Sequence, residues 1–240
     1  MQIKSEIAGT TILKLTAENL SPANGVLFSK FWFGLHDGTF DMFDLGERAS
    51  TAIERLAEDA NPVQLAKDFI ASRAGILEAT ILGAAPPFGD NAPGSNITFT
   101  FAFDSRLAQN VYFSYAAMII PSNDAFIANE NPRAYLVFDQ YGQFVSNEIL
   151  VYGSEVWDAG TEVNDELPGN AAGVGDPLLF TPGAGVDEDG IIKIHPGYIQ
   201  GGNVLTNPIW ANADFTTPNY KVASIVIEQL PIAPQGCLLF

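Results

Sequence analysis

The chain is poor in the residues that most often carry chemistry. Its one cysteine, Cys237, lies near the C-terminus, which excludes an internal disulfide and a cysteine-based metal cluster. Histidine is almost as scarce, with His36 and His195 alone. No Gly-x-Ser-x-Gly elbow, phosphate-cradling glycine loop or His-Glu-x-x-His pair occurs. Basic residues are few and scattered: 11 Lys plus Arg stand against 28 Asp plus Glu, for a formal net charge of −17. Neutralising a phosphate backbone takes clustered cations, so nucleic acid is a poor partner. No apolar run reaches membrane-spanning length, and Met1 to Glu18 lacks the basic, apolar and small-residue succession of a signal peptide. The chain as given therefore reads as soluble, with no transmembrane segment.

What is present is a large apolar complement. Hydrophobic residues fill 47% of 240 positions, enough for a core without staples, and the length suits one domain over 1–240. The acidic excess repels anionic surfaces and concentrates cations, which favours divalent metal ions as ligands. Solubility alone is an equally good reading of that charge.

Thr10 to Asn19 alternates as a half-buried strand, with Ile12, Leu13, Leu15 and Ala17 mostly on one side. Val26 to Leu35 is a β-branched and aromatic strand, closed by the turn His36-Asp37-Gly38 and followed by an extended Thr39 to Leu45. Helical spacing then runs from Glu47 to Asp59 on Ala49, Ile53, Leu56 and Ala57. Asn61 caps a second helix that begins at Pro62 and turns Leu65, Phe69 and Ile70 inward. Strand patterns return at Gly75 to Gly83, Ser95 to Asp104, Asn110 to Ile120, Ala134 to Phe138, Phe144 to Tyr152, Ile191 to Ile194 and Tyr220 to Leu230. Glu162 to Gly185 reads as a long loop, and Pro231 to Phe240 as an apolar tail. Short strands with regular turns predict a mostly β protein, an antiparallel β-sandwich with one or two short helices after the second strand.

Glu155, Asp158, Glu162, Asp165 and Glu166 crowd around Trp157 and Gly160. Carboxylates converging on one loop repel one another unless a cation sits among them, and Ca²⁺ takes several such oxygens. A solvated acidic loop is the alternative. Asp187-Glu188-Asp189-Gly190 lacks the ligand pattern of an EF-hand.

Four separated motifs together resemble the spondin N-terminal domain family, the F-spondin and mindin type of module. They are Phe28-Ser29 with Gly34, His36, Ala49-Ser50, Leu56-Ala57-Glu58 and Pro62; Tyr112 to Ile120 running into Pro121-Ser122-Asn123-Asp124-Ala125-Phe126; Trp157-Asp158-Ala159-Gly160-Thr161-Glu162; and Val222 to Leu230. The likeness covers about 11–230 and points to a prokaryotic branch, because the disulfides of animal members are missing and Ala125 stands where those members carry an aromatic. It implies a C2-like antiparallel sandwich and a bound Ca²⁺. By motif, Asp124, Asp158 and Glu162 are the implied ligands.

The resulting expectation is a non-enzymatic, secreted calcium-binding module for adhesion or extracellular matrix, at the cell surface or outside it, meeting an extracellular protein or glycan. A second expectation is a self-assembling structural subunit, a homo-oligomer joined through the tail at Pro231 to Phe240. A third is a hydrolase that uses His36 or His195 with nearby carboxylates.

Overall fold

The computed structural model describes residues 9–86, 89–176, 178 and 181–231. The apolar tail at 231–240 lies, beyond Pro231, outside the described residues, and Cys237 with it. In chain order the strands and helices are β1 (Thr10–Asn19), β2 (Leu27–Phe28), β3 (Phe31–His36), α1 (Thr51–Asp59), α2 (Val63–Ser72), β4 (Gly75–Ile81), β5 (Asn96–Asp104), β6 (Val111–Ile120), β7 (Ala125–Ala128), β8 (Tyr135–Phe138), β9 (Asn147–Tyr152), β10 (Val156–Asp158), β11 (Lys193–Ile194) and β12 (Lys221–Leu230). The protein is mostly β, and its ladders are antiparallel. One sheet runs β5-β1-β12-β9; the other runs β11-β10-β7-β6-β3-β4, with β2 and β8 also paired to β6.

The sheets face each other across a core that includes Leu13, Leu15, Phe33, Phe113, Ile225 and Ile227. A second apolar cluster lies on the opposite face of the larger sheet, where Trp32, Ala116, Phe126 and Ala128 meet Ile53, Leu56, Leu65 and Phe69 of the helices. The larger sheet is thus covered on both sides, which makes three layers. Strand alternation distributes its side chains: Ala125 and Ile127 enter the sandwich core, while Phe126 and Ala128 meet the helices. A strand covered twice reads as a nearly continuous apolar run, and β6 has that composition apart from Ser114.

Local chemistry explains the helix limits. Glu47 to Ala49 are not helical; α1 starts after Ser50, whose Oγ accepts from the Ile53 N–H at 3.3 Å. Asn61 Oδ1 accepts from the Val63 N–H at 3.2 Å, and α2 begins there, one residue later than the Asn-Pro signal indicates. Ile70 is 66% exposed rather than inward, because Leu65 and Phe69 already fill the contact with the sheet. Ile12 is half-buried on the outer face of β1, opposite Leu13 and Leu15. The predicted strand Val26 to Leu35 is divided at Ser29-Lys30 into β2 and β3, and the helices follow β3. The segment 39–45 has no strand pairing, and it contributes Phe40, Met42 and Phe43 to the helix-side cluster.

Glycine permits the close seating of α2. A Cβ on Gly34 of β3 would lie 2.6 Å from Phe69 Cε2. Overpacking of this kind costs about 1 to 3 kcal/mol. Gly34→Ala is therefore expected to lower stability by about that amount in urea unfolding, whereas Ile70→Gln on the same helix should change it by less than about 0.5 kcal/mol.

Candidate functional site

Asp124 stands at the turn between β6 and β7. Ser122 shapes that turn: its Oγ donates to the Ile119 carbonyl at 2.6 Å and accepts from the Ala125 N–H at 3.1 Å. The aspartate side chain is fully buried, and its Oδ2 accepts from the Thr161 N–H at 2.8 Å, the Thr161 hydroxyl at 3.2 Å and the Glu162 N–H at 3.1 Å. Its backbone carbonyl accepts from the Ala159 N–H at 3.2 Å. A single residue in the turn between β6 and β7 thus organises the loop that leaves β10. The other carboxylate oxygen, Oδ1, is buried with no hydrogen-bond partner in the structure. Burial raises the Asp124 carboxyl to about 6, with a further push from Asp158 and a partial offset from the donors on Thr161 and Glu162.

Asp158 ends β10 and is also fully buried, but its oxygens are engaged. Oδ1 accepts from the Gly160 N–H at 2.8 Å; Oδ2 accepts from Asn164 Nδ2 at 2.9 Å and faces Lys193 Nζ at 3.4 Å. Lys193 is its register partner on β11, so the sheet itself delivers the balancing charge. Gly160 has φ +67°, and a Cβ there would lie 2.6 Å from the Ile191 nitrogen; the bare backbone lets the 190–191 segment close in.

Glu162 is buried as well, packed against Gly185, whose backbone donates to its carboxylate. Burial drives its carboxyl up to about 8, and the negative charges of Glu58 and Asp124 add to the shift. Glu58, on α1, is pushed up to about 7 by burial and by Glu54 and Asp59, against a hydrogen bond from Thr161. Between helix and loops opens a cleft of about 390 Å³, lined among others by Arg48, Glu54, Glu58, Thr161, Glu162 and Glu188.

The structure therefore brings Asp124, Asp158 and Glu162 to one end of the sandwich. Among the described residues, no group of three or more Asp, Glu, His or Cys side chains is gathered as a ready metal cage. Asp124 and Glu162 suit a hard cation, since both are buried acids that form no ion pair among the described residues. Asp158 is matched by Lys193 and stands behind them as a source of negative field. The neighbouring acids do other work. Glu155 accepts from the Tyr152 N–H, Asp165 from Leu167 N–H and Asn170 Nδ2, and Glu166 from Ile199 and Val204 N–H. Glu58 is missing from the acidic stretch at 155–166, and its signal in the sequence is the like-charge pair Glu54 and Glu58, four apart on one helix face.

The histidines share a local device. Gly38 N–H donates to His36 Nδ1 and Gly197 N–H to His195 Nδ1, each at 3.0 Å, which leaves the ring proton on Nε2. His36 Nε2 then donates a hydrogen bond to Ser114 Oγ at 2.9 Å in a fully buried setting, so in this pairing the serine oxygen is the acceptor. His195 Nε2 donates to Asn164 Oδ1 at 3.2 Å, and Asn164 passes the link to Asp158. His195 edges a second cleft of about 450 Å³ with Ser154 and Thr216, and no carboxylate is among its described lining.

The chain matches no protein-family model and no curated protein. The geometry of these side chains carries the functional argument.

His36 also sets a pH response. Burial lowers its pKa from 6.5 to about 4, against an upward pull from Asp37. Between those values the unfolded chain binds a proton that the folded ring refuses, so the contribution of His36 to stability is present above pH 6.5 and is lost as pH drops toward 4. The raised carboxyls of Asp124, Glu162 and Glu58 act in the opposite sense, so the response is read as a difference: the urea midpoint of the wild type relative to His36→Asn should fall as pH is lowered from 6.5 toward 4.

Proposed function

We propose that this chain is a calcium-binding β-sandwich module of the spondin N-terminal type, acting without catalysis outside the cell in adhesion or matrix contacts. The observation that carries the reading is Asp124: a fully buried carboxylate with one oxygen triply hydrogen-bonded and the other without a partner. Leaving a buried charged oxygen unmatched is costly, and a bound cation removes the cost. Glu162 follows directly on the backbone that Asp124 holds, and it brings a second buried carboxylate without an ion pair.

In this reading Asp124 and Glu162 face the ion directly and Asp158 supports them electrostatically. Bound Ca²⁺ supplies the positive charge that these acids lack, and carbonyls or waters complete its shell. The protein's own part is orientation. Ser122 fixes the turn bearing Asp124, Gly160 admits the neighbouring segment, and pairing of 160–163 with 186–190 closes the loops. Loops made rigid in this way present a defined surface to an extracellular protein or glycan.

Thermal unfolding in Ca²⁺, Mg²⁺ and chelator tests the proposal. Ligand at 100 times Kd stabilises by about 2.7 kcal/mol, which for a chain of this size raises Tm by roughly 5 to 10 °C. Asp124→Asn should lose the Ca²⁺ increment while melting no lower than the wild type in chelator, because it removes an unmatched charge. A wild type whose Tm is the same in Ca²⁺ and chelator would remove the calcium reading.

A further inference from the structure

Resting on that calcium reading, we propose that Glu58 of α1 is a direct ligand of the same ion, so that the cation fastens the helical layer to the loops of the sandwich. Two independent features converge on this residue. The first is a shared cleft. Glu58 of the helix and Thr161 and Glu162 of the loop line the same opening, and Thr161 Oγ1 lies 3.2 Å from Asp124 Oδ2. The second is the partnerless Oδ1 of the fully buried Asp124, just beneath the loop that lines the cleft.

Charge matching singles out Glu58 from its neighbours. Arg55, the nearest cation on the helix, is held by Asp59 at 2.9 Å and by Glu54 at 3.3 Å. Asp59 also accepts from the Gly183 N–H at 3.1 Å, and Glu188 faces Lys193 at 3.8 Å. Among the described residues Glu58, Asp124 and Glu162 form no ion pair, although Glu58 is the foremost charged neighbour felt by Glu162. Half-buried or buried carboxylates without a positive partner are the oxygen donors that a hard divalent cation takes. Glu58 and Glu162 open onto the same cleft, directly above the loop whose backbone Asp124 holds.

The test is Ca²⁺ titration calorimetry of the full chain, with melting in chelator as a check of folding. Glu58→Gln should weaken Ca²⁺ binding at least tenfold and melt in chelator no lower than the wild type. Glu58→Asp separates contact from field: it keeps the charge but withdraws it by one methylene, and a ligand in contact loses several-fold affinity while a distant charge loses little. Asp68→Asn, which removes a charge from the outer side of α2, should bind as the wild type does. Ca²⁺ affinity within twofold of wild type in Glu58→Gln, alongside a loss in Asp124→Asn, overturns the role of Glu58 and leaves the calcium reading standing. No Ca²⁺ binding by the wild type overturns both.

Discussion

The larger sheet is covered on both faces, and the rest of the architecture follows from that double burial. β6 presents Phe113, Tyr115 and Ala117 to the sandwich core and Ala116 to the helices, so no polar face is left to water. Its polar residues must then be satisfied internally. Ser114 accepts from His36 and from Asn129 Nδ2, and Asn129 Oδ1 takes the Tyr115 N–H. The same arrangement places α1 beside β6 and β7, at the end of the sheet where Asp124 turns the chain. A helix laid on an ordinary sandwich for apolar reasons thus carries Glu58 to the acidic loops.

Charge is managed unevenly at that end. Asp158 receives a lysine from the adjacent strand and an amide from Asn164, so its buried carboxylate is matched by side chains. Asp124 and Glu162 receive backbone donors but no positive side chain, and burial raises both carboxyl groups. Backbone N–H groups supply orientation and partial charge; a full negative charge in a dry site still needs a proton or a cation. The contrast between a matched acid and two unmatched ones, within a few residues, is the chemical asymmetry on which the proposed site rests.

Much of the fold is legible along the chain. The alternation in Thr10–Asn19 and Lys221–Leu230 corresponds to two strands that pair with each other, and the apolar stripe of α1 is the face that meets the sheet. β7 and β10 escape such reading because four and three residues are too few to show a period. Ile70 misleads for a related reason: an apolar residue at helical spacing marks an inward face only where the neighbouring layer extends to meet it.

The order of residues by itself determined the local terms: strand periods, the apolar stripe of α1, the glycine at Gly160 and the acid-rich composition. Only the tertiary structure decided which acids are matched. Glu155, Asp165 and Glu166 look equivalent to Asp158 and Glu162 in the sequence, yet folding assigns the first three to loop hydrogen bonds and gives Asp158 a lysine from another strand. Glu58 meets Glu162 only when a helix docks on a sheet. Pairing and burial of charge depend on distance and dielectric in space, and neither quantity is written in residue spacing.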